Sequence, residues 1–411
     1  MVHAMKKNLI VLVLLLMGGI ASAGAYNSMW SVQIEGRPVY FASSNNSVVI
    51  GSFIYNGSWT SWVYMIKNGT LLWGNGYEDR RMSGILMSGN LVYIALPNSI
   101  EIFDSSGNFV GNFTPKGKIL GLQKDIKGIV IRTSTGFYVL NGNRVIENYE
   151  VGVPVAYVNL EQKKFLSLTQ YAQKLTCYDF NGNKLWERNF SKDRILTIVA
   201  DENGIAVSHG YAKEEPAYGY IRIGYVSYMD WEGNLVWTQE IKAEIAGWAR
   251  FLAMDNERIL AGAGVVHLLD RKNGKVITRI ETYEDSARVF LKNGVGVLIT
   301  QNMWRNYGLV YLLREDNGRI LWSLKTDPIL GGYFDGKYIY VGVPVGERRS
   351  EVRVYSVEEY IPKPKTVSPS QINSQGENYW FEKELPAVAF VLILIIFLVR
   401  RKRVKIKNDP A

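Results

Sequence analysis

A hairpin signature ending in tryptophan recurs along this chain, and it constrains the fold more than any other feature. Tyr178-Asp179-Phe180-Asn181-Gly182-Asn183-Lys184-Leu185-Trp186 is matched by Met229-Asp230-Trp231-Glu232-Gly233-Asn234-Leu235-Val236-Trp237, and Arg314-Glu315-Asp316-Asn317-Gly318-Arg319-Ile320-Leu321-Trp322 repeats it with Glu for Asp. Ile66-Lys67-Asn68-Gly69-Thr70-Leu71-Leu72-Trp73 lacks the acid. Weaker copies lie at Asp104-Ser105-Ser106-Gly107, Asn141-Gly142 and Asp270-Arg271-Lys272-Asn273-Gly274. Asn-Gly and related pairs supply the positive φ of tight strand turns, and the flanking residues alternate or favour β structure, so each copy reads as a β-hairpin. The turn glycines, at 69, 107, 142, 182, 233, 274 and 318, stand 38, 35, 40, 51, 41 and 44 residues apart. That period is the length of one four-stranded propeller blade.

Each repeat reads as two strands, a third entering the turn and a fourth leaving it. In the sixth repeat these are residues 248–254, 258–263, 265–269 and 275–280; the last repeat offers only 331–334, 338–343 and 352–357. Its missing strand is available near the other end of the chain, at residues 28–34, where Trp30 stands in the place of the post-turn Trp. Closure by strands from both ends removes the edges that an open ring exposes. The expected fold is all-β, an eight-bladed β-propeller, or seven-bladed if the weak third copy is no blade. Composition agrees: 39 glycines, 12% aromatic and 47% hydrophobic residues among 411 fit a turn-rich chain with a large core and exclude a disordered one.

The Asp-x-x-Gly-x-x-x-Trp hairpins at 179–186 and 230–237, with the near copy at 315–322, resemble the pyrroloquinoline-quinone-like (PQQ-like) repeat of quinoprotein dehydrogenase propellers and their non-catalytic relatives. The similarity spans about residues 28–360 and bears on fold, since a blade motif marks packing and not a site. The family's motif Trp packs between neighbouring blades, so the resemblance implies structural roles for Trp73, Trp186, Trp237 and Trp322. Thr278, Ile146 and Gly111 take that place in eroded copies. The family's enzymes hold a quinone in the central funnel, commonly with a vicinal disulfide and a Ca²⁺ ion. Here Cys177 is the one cysteine and no loop of alternating acidic Ca²⁺ ligands exists, so no cofactor and no metal are expected.

The two ends carry transport signals. Met5-Lys6-Lys7, an apolar run from Leu9 to Met17 and small residues to Ala25 have the three-part layout of a signal peptide, residues 1–25. Residues 26–361 are then the propeller ectodomain and 362–384 a Pro-, Ser- and polar-rich stalk. Residues 385–399 are almost continuously apolar, and Arg400, Arg401, Lys402, Arg403, Lys405 and Lys407 follow within a basic tail, 400–411. Lys and Arg beside a span stay on the cytoplasmic side, which implies a single-pass plasma-membrane protein with its propeller outside. Setting aside both ends leaves 39 basic against 37 acidic residues, so the excess of base belongs to the tail and nucleic acid loses its main support as a partner. Sequons at Asn45, Asn56, Asn68, Asn112 and Asn189 are candidate glycosylation sites of an exported domain.

Catalytic chemistry has little footing at this level. His267 lies in an apolar strand, where a neighbour is expected to satisfy it, and Cys177 reads as a packed, inert thiol. A Ser-His-Asp set cannot be recognised from spacing. Four long segments between second and third strands carry the better clue: 55–61, 209–220, 301–307 and 344–351. Three of these belong to blades seven, eight and one, which ring closure makes neighbours. They offer Tyr55, Trp59, Trp304, Arg305, Tyr307, Arg348 and Arg349, and a second patch offers His209 and Tyr211. Aromatic rings beside arginines compose protein hot spots and sugar-stacking platforms. The expected function is a non-catalytic, cell-surface binding or scaffold module for a protein or envelope glycan; the rival is a membrane-anchored oxidoreductase or hydrolase working in the funnel.

Overall fold

The computed structural model describes residues 28–361 apart from 45, 169–172, 191–192, 216–218, 242–249, 263–264, 283–285 and 303–305. Within them, strands assemble into eight four-stranded antiparallel sheets, seven in simple sequence order and the eighth completed by the first strand of the chain. Blade 1 runs Arg37–Ser44, Ser47–Tyr55, Trp59–Lys67, Thr70–Tyr77, and blade 5 runs Arg194–Ala200, Ile205–Glu215, Gly219–Met229, Leu235–Ile241. First strands of adjacent blades touch one another, which puts them around the axis and the fourth strands at the periphery. The third copy, read as the weakest, is a full blade from Ile119–Asp125 to Arg144–Glu150.

The ring closes as the sequence requires. Trp30–Glu35 is the fourth strand of blade 8, antiparallel to Arg349–Ser356, with Trp30 opposite Val354 and Ile34 opposite Ser350. Apolar side chains then fill the seam: Ile34, Val352, Val354 and Tyr340 join Val48, Ile50, Tyr64 and Ile66 of blade 1 in one buried cluster. Comparable clusters lie between other neighbours, such as Leu166, Leu175, Cys177 and Phe190 against Ile205, Val207, Met229 and Trp231.

The Asp-x-x-Gly turns are wider than two-residue hairpins. Asp179 Oδ1 accepts the N–H groups of Asn181 and Asn183 at 2.9 Å each, and its Oδ2 accepts Asn183 Nδ2. Asp230 and Asp104 repeat this pattern. The ladder slips by one residue beside the turn, between Cys177 and Tyr178, so the glycine closes a bulge and not a two-residue loop. Two-residue turns occur at Asn68-Gly69, where Lys67 opposes Thr70, and at Gly142-Asn143.

The glycine of one blade also receives the tryptophan of the previous one. A Cβ on Gly233 would lie 2.8 Å from the Trp186 ring, and Gly107 stands likewise against Trp73, Gly274 against Trp237 and Gly69 against Trp30. Three motif indoles then donate to a carbonyl in the next blade's turn: Trp73 to Ser105 at 3.2 Å, Trp186 to Trp231 at 2.9 Å and Trp237 to Arg271 at 2.8 Å. Thr278 takes this place beneath Gly318. Ile146 does not: Gly182 faces Val151, and Ile146 is 48% exposed. In that blade the one-residue slip falls at Ile146 itself, between the pairs Val139–Glu147 and Leu140–Val145.

Candidate functional site

Linkers between blades and hairpins between second and third strands share one face; the glycine turns occupy the other. On the first face, three segments expected as long loops are extended hairpins. Tyr55 pairs with Trp59, leaving 56–58 as the tip. The strands Ile205–Glu215 and Gly219–Met229 pair over eleven residues each, with His209 opposite Tyr225. Pro344 pairs with Ser350. Cross-strand pairing carries the ladder past the blade rim, where the polarity alone reads as loop.

Blades 8 and 1 meet around Glu35-Gly36. Gly36 N–H donates to Arg348 O at 2.7 Å, Ser350 Oγ donates to Gly36 O at 2.7 Å, and Ser52 Oγ donates to Glu35 O at 2.5 Å. A Cβ on Gly36 would touch the Phe53 backbone at 3.1 Å, so this crossing admits only glycine. Beside it Trp59 meets Phe53 and Tyr55, with ring centroids 5.1 and 4.9 Å away, and the Arg81 guanidinium lies 4.6 Å from the Trp59 centroid. Tyr55 is 63% exposed. Arg348 is exposed nearby, whereas Arg349 is engaged by Glu35 at 3.0 Å. Tyr307 is half-buried on blade 7 under Lys325 at 4.4 Å. Trp304 and Arg305 lie outside the described residues. Arg81, in the linker to blade 2, is the member that sequence reasoning missed, because its register beside Trp59 exists only after blade packing.

The second patch is an open cavity whose wall His209 forms. His209, expected as a surface contact, is only 7% exposed. Its Nδ1 lies 2.6 Å from Asp193 Oδ2, its Nε2 lies 2.8 Å from Ser227 Oγ, and Ser227 Oγ lies 2.8 Å from Thr238 Oγ1. Phe190 and Tyr225 flank the imidazole, with centroids 4.7 and 5.4 Å away. These groups line a cavity of about 460 Å³ that also reaches Arg188, Asn189 and Tyr211. Burial lowers the His209 pKa, and Asp193 opposes that shift only in part, so the ring is neutral near pH 7.

No protein-family model matches the sequence, and no curated protein matches it. Solved structures do. The computationally designed Ika8 protein superposes with a TM-score of 0.59 at 14% identity, over 80% of this chain and 100% of its own. Saccharomyces cerevisiae Sqt1 gives 0.59 at 10% identity over 80% and 99%, and BamB from Moraxella catarrhalis gives 0.53 at 12% identity over 80% and 100%. At such identities the likeness concerns the fold. It is a propeller.

Elsewhere the chemistry is sparse. Cys177 is fully buried, and burial pushes its thiol up to about 12. His267 is 1% exposed and desolvation drives its pKa down to about 4; its ring bonds the Val265 backbone, as a satisfied side chain would, but its Nδ1 has no hydrogen-bond partner among the described residues. Among the described residues no group of His, Cys, Asp and Glu could hold a metal ion, and no helix is long and apolar enough to cross a membrane. Segments 1–25 and 385–399 lie outside those residues, as does Asn45. The sequon residues Asn56, Asn68, Asn112 and Asn189 are exposed.

One titrating pair marks the opposite face. Burial raises the Glu315 carboxyl to about 7, reinforced by a hydrogen bond with Asp255 and by the charges of Asp255 and Glu257. Its folded pKa exceeds the unfolded value near 4.3, so the pair's contribution is complete below about pH 4 and is lost as pH rises through about 7. Glu315→Gln is therefore expected to keep its melting temperature between pH 5 and 8 better than the wild type, by a few degrees in thermal unfolding. Parallel pH profiles for the two proteins would refute this.

Proposed function

We propose that the chain is a cell-surface binding or scaffold module, kin to the non-catalytic PQQ-like propellers. In this reading segment 385–399 anchors it in the plasma membrane, the tail 400–411 is cytoplasmic and the propeller stands outside. The face where blades 8 and 1 meet docks a partner protein or an envelope glycan. The observation that carries the docking is the Tyr55, Trp59 and Arg81 group: a ring 63% exposed, backed by a second ring that a guanidinium covers at 4.6 Å. An isolated surface tyrosine needs no explanation, but two rings and a cation held together by a tight hairpin form a preorganised platform for a sugar face or an apolar protein anchor. The Trp-on-Gly packing supports the kinship, and the near-neutral balance of the exported part argues against a polyanionic ligand.

The test presents the full chain, in detergent, to isolated envelope polysaccharide and separately to solubilised envelope proteins. The triple change Tyr55→Ser, Trp59→Ser and Arg81→Ser is expected to reduce capture of one of the two fractions at least ~10-fold, as loss of a hot spot does, with the far-ultraviolet spectrum unchanged. Equal capture of both fractions by variant and wild type would defeat the reading.

A further inference from the structure

The cavity between blades 4 and 5 holds the connectivity of a nucleophilic serine. Carboxylate, imidazole and hydroxyl are joined in the order Asp193, His209, Ser227 at 2.6 and 2.8 Å, on a blade linker, a second strand and a third strand. Such a set is recognised by geometry and roles and not by sequence position. We propose that Ser227 is a catalytic nucleophile for short-chain carboxylic esters, with His209 its general base and Asp193 the group that orients the imidazole.

Blade packing alone does not ask for this arrangement. The interface below it is already filled by Phe190, Ile205, Val207, Met229 and other apolar side chains, and a buried polar chain replaces hydrophobic contact at some cost. Each link in the chain is fixed. Asp193 N–H donates to Phe190 O at 2.8 Å. Because Nδ1–H donates to the Asp193 carboxylate, Nε2 presents its lone pair to the Ser227 hydroxyl. Thr238 Oγ1 sits 2.8 Å from the same oxygen, and the Asn189 amide lines the cavity; these are the donors available to a developing oxyanion. A space of about 460 Å³ falls within the range of small-molecule sites.

The step balances without any co-reactant except water. Ser227 Oγ forms a bond to the ester carbonyl carbon while its proton passes to His209 Nε2. The carbon–alkoxide bond breaks as Nε2–H protonates the leaving oxygen, giving an acyl-serine and an alcohol. Water then adds with its proton going to Nε2, and the acid leaves as Ser227 Oγ recovers that proton. Arg188 also lines the cavity, with its guanidinium donating to Gly233 O at 3.3 Å. This site is separate from the docking face at blades 8 and 1.

The experiment treats the full chain in detergent with a fluorophosphonate probe and follows p-nitrophenyl acetate hydrolysis. Peptide mass spectrometry is expected to find the phosphonyl adduct on Ser227, hydrolysis is expected to vanish in Ser227→Ala, and Asp193→Asn is expected to lower kcat ~10³–10⁴-fold. Ser227→Cys preserves the packing and provides a second measurement: its thiol should react with iodoacetamide at near-neutral pH, and should slow when combined with His209→Gln, while Cys177 stays unmodified. A folded wild-type chain unlabelled at Ser227 would overturn the assignment. So would phosphonylation whose rate is the same in His209→Gln and Asp193→Asn as in the wild type.

Discussion

Deleting residues 28–35 is expected to abolish cooperative folding of the whole propeller, although it removes one peripheral strand of the thirty-two among the described residues. The reason is closure. Trp30–Glu35 is the sole partner of the outer side of Arg349–Ser356 among the described strands, and without it that strand presents a free edge. The same deletion withdraws Ile34, 3% exposed, from the seam cluster with Val352, Val354, Val48 and Ile50. It also removes Trp30 from beneath Gly69 and from its edge contact with Tyr340, centroids 6.3 Å apart. A milder probe, Ile34→Ala, is expected to lower unfolding free energy by ~2–4 kcal/mol in urea titration, the range for removing a buried aliphatic side chain. The deleted chain should elute as aggregate, and a separate peptide of residues 26–36 should restore a monomeric, cooperatively melting protein. A deleted chain that melts at the wild-type midpoint would show that the seam does not hold the ring.

How far the sequence reveals this molecule depends on the range of the interaction. The Asp-x-x-Gly turns are legible because aspartate, asparagine and glycine act within five residues of one another, and the blade count follows from their spacing. Closure is legible too, since Trp30 repeats the position of a motif tryptophan. The hairpins at 55–59 and 209–220 are misread because length and polarity say loop, whereas cross-strand pairing, such as His209 against Tyr225, is decided by the partner strand. The docking face is half legible: Tyr55 and Trp59 share a hairpin, but Arg81 reaches Trp59 from the linker to the next blade. The Asp193, His209 and Ser227 set is not legible at all. Its members stand 16 and 18 residues apart, with no fixed offset, and meet only through the register of two strands and the placing of a linker. A signal did exist: in this His-poor chain, His209 alternates with Val207 and Tyr211 on one strand face, beside a hydroxyl two places from its cross-strand partner.

Replacing Arg271 by alanine is expected to cost ~3–5 kcal/mol, the penalty for breaking a buried ion pair from one side. Its side chain is 6% exposed and reaches across the junction of blades 5 and 6. The guanidinium grips Asp201 through two bonds of 2.6 Å, donates to Asp255 O at 2.6 Å and to the Tyr228 hydroxyl at 3.0 Å, and lies 5.2 Å from the Tyr228 ring centroid. Its backbone carbonyl is the one that accepts the Trp237 indole, so the turn joins the charged clasp to the repeat motif. Arg271→Lys should recover little, because an ammonium cannot reproduce the two-pronged grip. The double change Arg271→Met with Asp201→Asn should recover most of the loss, because it removes the stranded carboxylate along with its partner. Urea titrations of the three variants measure these differences, and a single Arg271→Ala variant within 1 kcal/mol of the wild type would refute the clasp. The consequence extends to the opposite face: Arg194–Ala200 runs from Asp193 at one end to Asp201 at the other. Loosening Asp201 therefore frees the far end of the strand that positions the Asp193 carboxylate against His209. Arg271→Ala should thus slow probe labelling of Ser227 in protein that is still folded, and Arg271→Met with Asp201→Asn should restore it.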